Sequence, residues 1–223
     1  MLMRKMMLIL GLLTLILAAC SGMVGRSGNK EAVNGSGTLI ANPKILGSFY
    51  PIDGTQYQLA SIISSGDGEG SYDFTQLFSR GRSDYSVYNY VFLDTQSESV
   101  YALLPSNEDS ILSIQGYPVP DSNATPKIPV AWWFYTLAKD DTNQDEKLTL
   151  ADEKTLAISD VGGKGYTELV SGVDVVLGDV YKDGNILLLI YRAKDKNFLA
   201  HVDLTSRKVT QTTELPSFGD DVK

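Results

Sequence analysis

Between Asp141 and Asp152 the chain reads Asp-Thr-Asn-Gln-Asp-Glu-Lys-Leu-Thr-Leu-Ala-Asp. Oxygen-bearing side chains alternate at Asp141, Asn143 and Asp145 and return at Thr149 and Asp152. Calcium takes six to eight oxygens, and alternate side chains of a tight loop can point inward to supply them. The other reading of the run is a solvated acidic turn that keeps a hairpin soluble. Other chemistry is sparse. His201 is the one histidine and Cys20 the one cysteine, which excludes an intramolecular disulfide and Cys-rich or multi-His metal sites. A Ser-His-Asp arrangement also needs a positioned serine, and no Gly-x-Ser-x-Gly elbow occurs. On a strand from Phe198 to Leu204, His201 falls on the face opposite the apolar residues, beside Leu199 and Asp203. Trp132, Trp133, Phe134 and Tyr135 could stack on a sugar. Strand alternation splits them between two faces, so at least one pair is expected in a core. Gly162-Gly163-Lys164-Gly165 lacks the spacing of a phosphate loop and is expected in a hairpin turn.

The Asp141–Asp152 run resembles an EF-hand-type calcium loop over all twelve positions. The resemblance implies side-chain ligands from Asp141, Asn143 and Asp145, the carbonyl of Lys147, Thr149 directly or through water, and Asp152 at the last position. Leu148 fits the apolar place that anchors such a loop to a core. Two residues depart from the pattern. Glu146 stands where glycine normally makes the sharp turn, and Asp152 replaces the longer, bidentate Glu. The flanks read as strands rather than helices. A site of this kind is expected to be weak and structural in role.

The elements that must position this loop begin after an address segment. Arg4 and Lys5 precede an apolar stretch from Met6 to Leu17, too short to cross a bilayer comfortably as a helix. Leu17-Ala18-Ala19-Cys20 resembles the lipobox of bacterial lipoproteins. That resemblance implies removal of residues 1–19, acylation of the Cys20 thiol and a further chain on its amine. Several acyl chains anchor far better than one, since each buried methylene contributes about 0.8 kcal/mol. Ser21 rather than Asp after the cysteine implies the outer membrane, at its periplasmic face or the cell surface, in place of the inner membrane. Four of the five methionines leave with the signal segment and the fifth is Met23, so no Met-lined binding groove is expected.

Residues 20–44 are rich in Gly, Ser and Asn and read as the lipidated cysteine followed by a flexible linker. Gly37-Thr38-Leu39-Ile40 is the stretch within it that could form a strand. Residues 45–223 read as an all-β domain. Short apolar runs such as Tyr57 to Ile63, Tyr88 to Leu93, Val130 to Leu137, Lys154 to Ser159 and Asn185 to Tyr191 are broken by Gly, Asp, Asn, Ser and Pro. Three segments repeat one shape: an apolar strand ending in Asp94, Asp160 or Asp203, a polar turn, and a second strand. The aspartate is expected to accept from backbone N–H groups two residues on and so nucleate the turn. These repeats resemble the inner hairpins of TolB-type β-propellers, Leu156 to Leu169 most closely. The fold expectation is therefore all-β: a β-propeller-like array of about four blades or an incomplete one, or a β-meander or sandwich.

Charged residues make up 21% of the 223-residue chain and apolar residues 43%, the composition of a globular protein. The net charge of −8 argues against a nucleic-acid surface. The reading that follows is a membrane-anchored bacterial lipoprotein, not an enzyme. It would bind or scaffold an envelope protein or glycan, with calcium stiffening one loop. The alternative is a hydrolase of envelope polysaccharide or peptide working through paired carboxylates, which must stand about 5–9 Å apart.

Overall fold

The computed structural model describes the backbone of residues 32–33 and 39–40, and residues 43–64, 86–119, 123, 128–182 and 184–217 in full. All of them belong to one compact unit, Glu31–Lys223. Cys20, the signal segment and most of the linker lie outside the described residues. Within the linker, β1 (Ala32–Val33) and β2 (Leu39–Ile40) pair as a short antiparallel ribbon, so the strand expected near Leu39 pairs locally.

The remaining strands form three successive antiparallel meanders. In the first, β3 (Lys44–Leu46) and β4 (Tyr50–Pro51) both pair with β5 (Tyr57–Ser64), which pairs with β6 (Val87–Asp94), which pairs with β7 (Ser99–Ala102). The second runs β8 (Ser110–Tyr117), β9 (Trp132–Ala138), β10 (Lys154–Asp160), β11 (Thr167–Val173). The third runs β12 (Val175–Lys182), β13 (Ile186–Ala193), β14 (Lys196–Asp203), β15 (Lys208–Glu214). One bridge, Val87 to Ile111, joins β6 to β8 and makes the first two meanders a single nine-stranded sheet; the third is a separate four-stranded sheet. The fold is all-β and open, and the array is incomplete, with three meanders among the described residues in place of about four.

Strand alternation fixes how the meanders stack. On β9, Trp133, Tyr135 and Leu137 point one way and join Leu59, Tyr90 and Phe92 of the first meander in one core. Phe134 points the other way and, with Leu156 and Ile158 of β10, meets Leu187, Leu189, Tyr191, Ala200 and Val202 of the third. β9 and β10 are thus buried on both faces, which is why β9 reads as a nearly unbroken apolar run and β10 is apolar from Leu156 to Ile158. Each large apolar side chain removed from water there contributes about 1.5–3 kcal/mol, as an upper bound. Polar links cross the same boundaries. The Tyr117 hydroxyl donates to Asp179 and its ring stacks on Tyr181 with centroids 5.9 Å apart, tying β8 to β12. The Tyr101 hydroxyl donates to the Gly162 carbonyl at 2.7 Å, tying β7 to the β10–β11 turn.

The three repeats occupy one structural position: each aspartate ends the penultimate strand of its meander and opens the turn to the last. Asp94 Oδ1 accepts from the N–H groups of Gln96 and Ser97, Asp160 Oδ1 from Gly162 and Lys164, and Asp203 Oδ1 from Thr205 and Ser206. Glu98 and Arg207, both at φ +55°, close the first and third turns in the left-handed region. Gly163, at φ +78°, is required in the second: a Cβ there would lie 2.3 Å from the Phe92 ring.

Candidate functional site

The Asp141–Asp152 loop connects β9 to β10 on top of the doubly buried meander. Its aspartates are held by the loop's own backbone. Asp141 accepts from the N–H groups of Asp145 (3.1 Å) and Glu146 (2.8 Å), and Asn143 Oδ1 accepts a second bond from Asp145 N–H at 3.0 Å. Asp145 accepts from Lys147 N–H at 3.0 Å and from the Asn143 amide at 3.2 Å. Glu146 adopts φ +63°, the left-handed conformation expected of the residue in glycine's place, and Gln144 adopts φ +62°. A non-glycine residue in that region is strained. Asp141, Asn143 and Asp145 are therefore brought onto one exposed turn, as the spacing predicts, with Lys147 following them.

Asp152 behaves differently. It is buried, and both carboxylate oxygens are occupied: Oδ1 accepts from Thr142 and Asn143 N–H, Oδ2 from Thr149 N–H at 2.8 Å. The Thr149 and Thr142 N–H bonds, against the opposing effect of burial, hold its carboxyl below the usual carboxylate range. Thr149 Oγ1 accepts from Ala151 N–H. Asp152 thus fixes the base of the loop, a role that alternation of oxygen donors does not reveal. Among the described residues no three His, Cys, Asp or Glu side chains are grouped so as to hold a metal ion.

His201 lies on the outer face of β14 between Leu199 and Asp203, as the alternation predicts, and is half-buried. The aromatic quartet is core on both sides, so Trp133 with Tyr135, and Phe134 with Trp132, pack against neighbouring meanders instead of forming a platform. Gly162 to Gly165 forms the β10–β11 turn.

Two surfaces have no motif in the sequence. One is the outer face of the third meander, where Val175, Leu177 and Val180 are 39%, 49% and 51% exposed beside half-buried Ile186, Leu188, Ile190 and Leu199. The signal was present in β13, which is apolar at consecutive positions from Ile186 to Tyr191. The other is an open cavity of about 550 Å³ where β11 meets the β14–β15 turn, walled by Leu169, Val209, Thr167, Ser206, Arg207 and Lys208. Arg207 was invisible to sequence reasoning because its contacts, Trp132, Asp160 and Gly165, come from another meander.

No family model and no curated protein matches the sequence. Among solved structures, the chain is similar to the β-propeller domain of the Trilobed protease from Pyrococcus furiosus, described as having an open velcro topology. The TM-score is 0.36 and the identity 9%, over 78% of this chain and 44% of that one. The chain spans less than half the length of that structure.

Proposed function

We propose that the chain is a lipid-anchored, non-enzymatic binding and scaffold module of the bacterial cell envelope, and that its first partner is a second copy of itself. The observation that carries the reading is the bare outer face of β12–β14. Inside the chain, the same kind of surface is buried wherever one meander follows another. At the far end of the array the first meander leaves Leu46 and Val100 exposed, at 53% and 59%. Repeat arrays normally close with polar outer faces; among the described residues, exposed apolar side chains stand on both end meanders. Among the described residues the third-meander face also carries Lys182, Arg192 and Lys208 against Asp203, on a chain of net charge −8, so a further acidic copy complements it.

The Leu17-Ala18-Ala19-Cys20 lipobox supplies the anchor, at the outer membrane or cell surface. Calcium enters as a stabiliser of the β9–β10 loop through Asp141, Asn143, Asp145 and the Lys147 carbonyl, with Thr149 and Asp152 closing the set. Asp152 coordinates only by releasing N–H bonds, which makes the site weak. An unknown envelope protein or glycan would be held by the assembled scaffold.

Sedimentation of the full chain in detergent tests the self-association. The parent should run as a dimer or larger species, and Val180→Glu combined with Leu177→Glu as a monomer. A parent that stays monomeric, or that only binds anionic vesicles or glycan, overturns it. Anchoring is tested separately: Cys20→Ala should lose fatty-acid labelling, and labelling equal to the parent contradicts the lipobox.

A further inference from the structure

Arg207 is held in place by packing and by one long ion pair, with no hydrogen bond to a carboxylate among the described residues. Its guanidinium lies over the Trp132 ring, 5.6 Å from the centroid, and against Gly165, where a Cβ would stand 2.5 Å from Arg207 Cζ. Its side chain is 28% exposed. Among the described residues no acceptor hydrogen-bonds to it; the nearest carboxylate oxygen, Asp160 Oδ2, stands 3.8 Å from Nη2. Asp160 is turned toward its own loop, its Oδ1 taken by Gly162 and Lys164. Two N–H donors here are buried and unpartnered: Arg207 Nε and Trp132 Nε1. Leaving such donors unmet costs about 1–3 kcal/mol each, and native structures rarely tolerate it without a water or ion nearby.

The cavity beside Arg207 gives an acceptor room to reach its guanidinium. Leu169 and Val209 form apolar walls, while the Thr167 hydroxyl donates to the Gly165 carbonyl and the Ser206 hydroxyl to Asp203. Glu168, on the same wall, is paired with Lys139 at 2.7 Å and does not oppose an incoming anion unpaired.

We propose that this cavity binds a carboxylate attached to a short apolar group, and that Arg207 is its principal ligand. A guanidinium fork matches the two coplanar oxygens of a carboxylate. One arginine suits a singly charged planar group better than a phosphate dianion. The apolar walls accommodate the rest of the ligand, and the volume suits a small molecule or a chain terminus. The site goes beyond the scaffold reading, because it lies between the second and third meanders and not on the array's outer face.

The two tryptophans make the test internal. Trp133 Nε1 donates to the Val161 carbonyl at 2.9 Å and serves as the reference, while Trp132 Nε1 is the reporter. The ¹⁵N-labelled full chain in detergent micelles is titrated with sodium butanoate, and the indole peaks are assigned with Trp132→Phe. The Trp132 peak should shift saturably, with a dissociation constant on the order of 1–10 mM, while the Trp133 peak stays still. Sodium chloride at equal ionic strength should not reproduce the shift. Arg207→Gln should weaken binding at least about tenfold, and Arg207→Lys, which keeps the charge but not the fork, should weaken it less. An unmoved Trp133 peak in each variant shows that the fold survives. An acetylated dipeptide with a free C-terminus and its amidated counterpart separate the sources. Binding of the free-acid peptide but not the amide identifies a chain terminus, and butanoate binding alone identifies a free acid. No shift with any carboxylate, an equal shift in Arg207→Gln, or tighter binding of inorganic phosphate overturns the proposal.

Discussion

The middle and third meanders carry similar strands under different circumstances. β9 and β10 are apolar on both faces and have a neighbour on each. β13 is apolar on both faces too, yet among the described residues it is the inner side chains Leu187, Leu189, Tyr191 and Ala193 that pack into the core shared with the middle meander. A run apolar at consecutive positions reports burial on two sides without saying whether both sides are covered by the same chain. The inner face holds the array together, and the outer face, the one proposed to meet a second copy, is surface that a monomer gains little by keeping apolar.

The comparison can be broken most forcefully by truncation. Leu156→Ala, fully buried between β10 and the third meander, should cost about 2–5 kcal/mol in denaturant unfolding, because a cavity adds to the lost transfer energy. Leu188→Ala, on the outer face of β13, should cost about 1 kcal/mol or less in dilute protein. Equal losses would mean that both faces are covered within one molecule.

Acid should act on the turns instead of the sheets. Backbone N–H bonds from Thr149 and Thr142 lower the Asp152 carboxyl, and those from Ser206 and Thr205 lower Asp203. Burial pushes Asp94 up, but N–H bonds from Gln96 and Ser97 outweigh it. A carboxyl lowered on folding adds stability above its unfolded value, about 3.9. That contribution disappears as the pH falls through the folded value. Asp109 opposes the trend. Burial raises its carboxyl against the pull of Lys139, so it stabilises the fold only while protonated, and this contribution fades as the pH rises through its folded value. With three groups against one, the melting temperature should fall between pH 5 and pH 3, and Asp152→Asn should flatten the fall. A flat profile in the parent would contradict this account of the turns.

These turns are where the sequence was most legible. An aspartate at the end of an apolar strand states both its partner and its purpose, since its acceptors lie two or three residues on. Strand existence was legible for the same local reason. β8 escaped because Ser110, Ser113, Gln115 and Gly116 dilute its apolar positions. Gly116 is there for packing, a Cβ meeting Val130 at 2.7 Å. Which meander covers which, and the seating of Arg207 over Trp132, depend on contacts between distant segments and leave no local pattern. The 141–152 loop was half legible. The alternation placed Asp141, Asn143 and Asp145 on one turn, while the burial of Asp152 follows from how the loop sits on β9 and β10.

Calcium should have the smallest effect. With a dissociation constant on the order of 1 mM and calcium at about 10 mM, binding to the folded state alone adds about 1.4 kcal/mol. That raises the melting temperature by roughly 3–6 °C for a domain of this size. Asp145→Ala should abolish the rise. An equal rise in parent and variant would mean screening of the excess negative charge and leave the loop an acidic turn.

Hydrogen exchange on the full chain, compared between dilute and concentrated protein, tests the difference between the two meanders most directly. Amides of β12 and β13 should become more protected as concentration rises, while those of β9 and β10 stay unchanged. Protection of β12 and β13 that does not depend on concentration would contradict the assignment of that face to a second copy.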